Sequence, residues 1–268
     1  MENNHVHHAS GSSFELLLAL PFVLVVLFYI LLALVSNRRH KRWPFFRYLY
    51  WILGVLSASV ALMGPIANLA HENFMAHMVG HLFLGMLAPL LISLAAPMTL
   101  LLRSLSVTRA RNLAQILKSW PVSIYSNPVA TALLNIGGLW VLYTTELYLL
   151  MQQNVLLHAV VHLHVFLAGY LYTISIIYID PTPHRYSYTF RTIILILSFA
   201  AHGILSKYIY AHPPAGVPIE QAEAGGMVMY YGGDIVEILL IFLFCQQWYR
   251  SKRPRTPVVL TSLLVHKK

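Results

Sequence analysis

Residues 71–103 read HENFMAHMVGHLFLGMLAPLLISLAAPMTLLLR. The stretch is apolar enough to cross a bilayer, yet His71, His77 and His81 all fall in its first third. His77 and His81 are four residues apart, so on a helix they share one face, about 6 Å from each other. At 1.5 Å per residue, His81 lies about 15 Å along the helix from His71, well below the headgroups. Ionisable groups at that depth are costly, and they normally face a bundle interior with a partner. The stretch therefore predicts a membrane helix whose histidines meet groups on other helices at the same depth.

Composition supports the membrane reading. Of 268 residues, 58% are hydrophobic and only 10% charged, with a mean hydropathy of +0.65. Soluble domains carry roughly 25% charged residues, so a polytopic membrane protein is expected. The net charge of +9 does not argue for nucleic acid, because the basic residues cluster between apolar runs. There they act as topology signals and contacts with anionic lipid. Cys245 is the only cysteine, which excludes an intrachain disulfide and a thiolate cluster.

Outward from residues 71–103, the chain divides into an N-terminal polar, His-containing tail (1–13), an apolar region (14–249) and a basic tail (250–268). The first apolar run, 14–35, is followed at once by RRHKR, the reverse of a cleaved signal peptide. Further spans of about 20 residues are expected near 47–65, 73–102, 128–150, 155–179, 189–211 and 227–249. Pro89 and Pro97 should kink the third, and 104–120 is too polar to span. Seven spans with the N-terminus outside and the C-terminus cytoplasmic place every Lys and Arg except Lys207 in the cytoplasm. That agrees with the positive-inside rule. The expected fold is an all-α seven-transmembrane-helix bundle.

With this topology the histidines sort by depth. His40, His184 and His266 are cytoplasmic; the other eleven fall in the outer half of the membrane or outside it. His158 and His162 repeat the i, i+4 spacing of His77 and His81 on a helix running the same way, while His164 points elsewhere. His202 stands alone on the sixth span, and Asp234 and Glu237 are three apart on the seventh. Five histidines at one level on three helices, with carboxylates near, form a recognised metal-binding arrangement. Met75, Met78, Met227 and Met229 near the outer surface would suit soft Cu(I). No zincin motif, P-loop, G-x-S-x-G or C-x-x-C-H is present, so no enzyme activity is expected. These residues leave copper, another metal and haem open as ligands.

Residues 77–105, HMVGHLFLGMLAPLLISLAAPMTLLLRSL, resemble the signature of the seven-span CtaG family of cytochrome c oxidase assembly factors, the kind found in Gram-positive bacteria. The histidine-rich helix VLLHAVVHLHVFLAGYLY and the segment EQAEAGGMVMYYGGDIVEILL (220–240) are similar to later family motifs. Where the family has Asp-Gln in its outer loop, this chain has Glu220-Gln221. The resemblance implies a multi-pass protein of the bacterial plasma membrane that supports maturation of the copper B centre in haem–copper oxidase subunit I. It carries over His77, His81, His158, His162, His202 and Asp234 as candidate metal positions, with copper the implied metal. The alternatives are a metal-ion or proton transporter and a b-type haem-binding membrane protein.

Overall fold

A computed structural model describes the backbone of residues 6–253 and the side chains of residues 19–253. The histidine side chains of the N-terminal tail and the basic tail beyond Arg253 lie outside the described residues. In chain order the helices are α1 (Val6–Arg39), α2 (Phe45–Leu62), α3 (Pro65–Ala70), α4 (Phe74–His81), α5 (Ala88–Leu94), α6 (Pro97–Ser104) and α7 (Val107–Leu117). There follow α8 (Trp120–Tyr125), α9 (Pro128–Ala132), α10 (Gly138–Thr144), α11 (Leu147–Gln153), α12 (Val155–Ile176), α13 (Tyr188–Ala211) and α14 (Ile219–Lys252). No strand occurs among the described residues. Six segments are long and apolar enough to cross a membrane, and α9–α11 make a seventh if the bent pair is one span. The all-α membrane bundle expected from the sequence is what forms.

The interruptions have local causes. Pro89 has no N–H to donate to the Gly85 carbonyl, and the turn before it widens into a π-helix over Leu82–Leu87. The Gly85 carbonyl then lies so close to Gly169 of α12 that a β-carbon at Gly169 has no room. At the far end of this span, Ala96 takes a left-handed φ of 54° and Pro97 opens α6. The Asp180 carboxylate accepts hydrogen bonds from the Met98 and Thr99 amides at 3.1 and 2.7 Å. An anion at a helix N-terminus satisfies orphan donors and complements the dipole. The single span expected over 73–102 is thus a kinked helix, Phe74–Leu94, followed by a short separate one.

The span expected over 128–150 is broken more sharply, with a bend of 79° between α10 and α11. Thr144 and Thr145 turn their hydroxyls back onto the Trp140 and Val141 carbonyls, both at 2.6 Å. Such bonds compete with the helix ladder. Thr145 is extended, and its hydroxyl oxygen accepts from the Leu147 amide to start α11. Tyr143 before the bend and Tyr148 after it both meet Phe74 of α4 edge-on, at 6.0 and 5.3 Å.

Helix α14 packs along α13 and α4. Gly225 and Gly226, and seven residues later Gly232 and Gly233, let it approach without side chains in the way. A β-carbon at Gly225 would meet Phe74 at 2.6 Å, and one at Gly233 would meet the His202 ring at 2.5 Å. Arg191, near the start of α13, is only 1% exposed. Its guanidinium lies 4.0 Å from the Tyr178 ring centroid and 4.4 Å from that of Tyr188, and it donates to the Ile176 carbonyl. Cation–π contact makes such burial tolerable.

Candidate metal centre

The histidines fall into two groups. The first surrounds a cavity of about 700 Å³ walled by α1, α2, α3, α4, α11 and α12, into which His71, His77, His158 and His162 project. The N-cap of α12, Asn154, accepts from the Leu157 amide and fixes the helix start one turn before His158. The α4 start is fixed the same way, by Asn73 accepting from the Ala76 amide.

Within this vestibule the rings touch. His158 stacks on His162 with centroids 4.2 Å apart, as the i, i+4 spacing predicts, and on His71 at 5.2 Å. His77 meets His162 edge-on at 6.0 Å. The His162 Nδ1 atom lies 2.9 Å from the His158 carbonyl, which only accepts, so Nδ1 carries the proton and Nε2 keeps its lone pair. His77 Nε2 shares a 3.2 Å hydrogen bond with the Tyr143 hydroxyl. Apart from Gln152 the remainder of the cavity is apolar, with Val55, Leu84, Ile92 and Phe166 among its lining residues.

The second group is deeper. His81 and His202 line a separate cavity of about 40 Å³ together with Tyr172 and Glu237. The His202 Nδ1 atom lies 3.0 Å from Glu237 Oε1. His81 and His202 are 6% and 3% exposed, and their Nε2 atoms are buried without a hydrogen-bond partner, as is the Tyr172 hydroxyl. Unsatisfied buried polar atoms are costly, and three around one cavity mark a place built for a polar guest. A cavity of that size holds one water or one ion.

Of the six positions singled out in the sequence, His77, His158 and His162 come together in the vestibule, and His81 and His202 in the deep cavity. Asp234 is half-buried and makes no side-chain hydrogen bond or ion pair among the described residues. Glu237, three residues on, is the carboxylate that meets a histidine. His71 and Tyr143 are further members beyond the six; Tyr143 carries no signal in the sequence because its partner lies on a helix far away in the chain. His164 does point away, its Nε2 donating to the Leu134 carbonyl at 3.1 Å. The outer methionines divide: Met78 and Met229 are core residues, and Met75 and Met227 are exposed. The methionines that line the vestibule are Met63 and Met151.

Imidazole nitrogens with free lone pairs fit copper, zinc, iron or nickel. Among the described residues no three His, Cys, Asp or Glu side chains are grouped tightly enough to hold an ion as a preformed set. Each cavity therefore offers few ligands at once, an arrangement that suits reversible holding better than a permanent structural site.

No solved structure matches the chain. It is 25% identical over 237 residues to the uncharacterized protein ML1998 of Mycobacterium leprae, covering 80% of this chain and 36% of that one. The uncharacterized proteins Mb0105 of Mycobacterium bovis and MT0111 of Mycobacterium tuberculosis are each 26% identical over 238 residues, 81% of this chain and 36% of theirs. The chain thus spans 36% of the length of the curated relatives it matches. The model of the cytochrome c oxidase caa3 assembly factor family (Caa3_CtaG) matches residues 27–251, and with most of its length so covered the chain belongs to that family.

Proposed function

We propose that the protein serves oxidase assembly by receiving copper in the histidine vestibule and releasing it for the copper B centre of haem–copper oxidase subunit I. The role is that of a carrier and not of an enzyme. One observation carries this reading: His71 from the turn after α3, His77 from α4, and His158 and His162 from α12 line a single cavity. Neutral imidazoles bind copper well, and few ligands allow release. The vestibule lies at the end of the bundle that holds α3 and the 212–218 loop, the extracytoplasmic end in the proposed N-out topology. Elemental analysis of the purified protein, with and without His77, His158 and His162 replaced together by Ala, tests it. Unchanged copper content in the triple variant would sink the vestibule as the site.

A b-type haem is the second reading, favoured by the size of the vestibule. About 700 Å³ is within the range of cofactor pockets, and His77 and His162 approach from different helices. A Soret band in the purified protein that disappears in His77→Ala would establish haem in place of copper.

A further inference from the structure

We infer that His81 and His202, with Glu237 behind His202, form a second and separate binding station for one Cu(I) ion, deeper in the bundle than the vestibule. The inference takes the identity of the metal from the copper reading; the existence of the station stands on its own geometry. The two Nε2 atoms are the nitrogens left free. For His202 this follows from chemistry: a carboxylate oxygen accepts, so the 3.0 Å contact with Glu237 places the proton on Nδ1 and the lone pair on Nε2. A carboxylate behind an imidazole in this way orients the ring and raises its basicity towards a metal. On the other wall, His81 presents its own partnerless Nε2.

The donor set selects the ion. Two imidazoles with no third His, Cys, Asp or Glu in a ligand group provide too few donors for tetrahedral zinc. Cu(I), with a filled d shell, accepts two nitrogen ligands in a near-linear arrangement. Charge agrees: no Lys or Arg lines the cavity, so one carboxylate and two neutral rings are balanced by a single positive charge. A divalent ion would leave an excess charge in the membrane interior.

The position suggests why there are two stations. His77 and His81 are one turn apart on α4, and each ring lies about 6 Å from the Tyr143 ring, at 6.2 and 6.3 Å. His77 opens to the vestibule and His81 to the deep cavity. An ion taken up by the vestibule thus has a second site one helical turn further in.

The test is anaerobic Cu(I) titration of the full chain in lipid nanodiscs against a chromophoric chelator. Two Cu(I) per chain are expected for the unmodified protein. His158→Ala/His162→Ala should retain one, and copper-edge X-ray absorption of that variant should show two nitrogen ligands. Adding His202→Gln should remove that last copper, while Glu237→Gln should keep it with 10- to 100-fold weaker affinity. Loss of all copper from His158→Ala/His162→Ala, or a remaining copper indifferent to His202→Gln, would overturn the deep station. The X-ray absorption arm needs no change in the deep cavity, so a misfolded His202 variant does not leave the question open. One copper per chain that survives in His158→Ala/His162→Ala and is lost with His202→Gln would instead refute the vestibule and uphold the deep station.

Discussion

The Tyr143 hydroxyl and His77 Nε2 share a 3.2 Å hydrogen bond in a setting where both residues are buried, at 2% and 6% exposure. The contact joins α10 to α4 across the bundle, one residue before the chain bends by 79° after Thr144. When the hydroxyl donates, it occupies the lone pair that a metal would use.

Tyr143→Phe therefore frees His77 at the cost of one hydrogen bond, about 1 kcal/mol. If His77 binds through Nε2, the vestibule should bind Cu(I) about fivefold more tightly in this variant. Chelator competition measures it. Weaker binding would mean that the hydroxyl assists the metal and does not compete with it.

Copper binding should weaken as the pH falls, because protons compete with copper for the ligand nitrogens. The sign is fixed by competition: each proton added to a ligand nitrogen must leave before copper returns. Because the sites use at least two imidazoles, the loss should be steeper than one proton per copper. Titration downwards from pH 8 to the point where the protein unfolds, in the presence of a pH-insensitive competitor, checks this, and a profile flat over the whole range would count against histidine ligation.

Gly169→Ala should be strongly destabilising, because its β-carbon would run into the Gly85 carbonyl, a backbone atom held in place by the π-turn before Pro89. Overpacking of this kind costs roughly 1–3 kcal/mol, and more where backbone must shift. Gly137→Ala meets nothing within 4 Å and should be neutral. Steady-state membrane levels and thermal unfolding in detergent compare the two. Equal behaviour would show that α12 can slide away from the π-turn.

Asp180→Ala should lower stability by about 1–2 kcal/mol by leaving the N-terminus of α6 uncapped. Copper stoichiometry should not change, since Asp180 lines neither cavity. Thermal unfolding with and without copper separates the effects, and a changed stoichiometry would reveal coupling between the two ends of the bundle.

Reporter fusions after residues 40, 115 and 185 should all report cytoplasm if the bent pair α9–α11 crosses the membrane as one span. Should the fusions after 115 and 185 disagree, the bent pair is a re-entrant segment and the bundle has six crossings.

The sequence alone was enough to place six of the expected spans, because a membrane helix satisfies its backbone within itself and its hydropathy needs no neighbour to be read. The same local logic made the His158–His162 stack legible, since four residues on one helix fix two rings on one face. It also foretold kinks at Pro89 and Pro97. The pairing between helices was not legible. His77 and His81 share a spacing and nearly share a face, yet the rotation between them is enough to turn one to the vestibule and the other to the deep cavity. The choice of Glu237 over Asp234 depends on how α14 is rotated about its axis. That rotation is set by glycines packed against Phe74 and His202, residues far away in the chain. Tyr143 meets His77 from α10, and which face of α10 turns to α4 is set by packing between helices distant in the chain. Periodicity records which residues share a face of one helix; which faces meet is decided by close packing between helices, and that belongs to the tertiary structure.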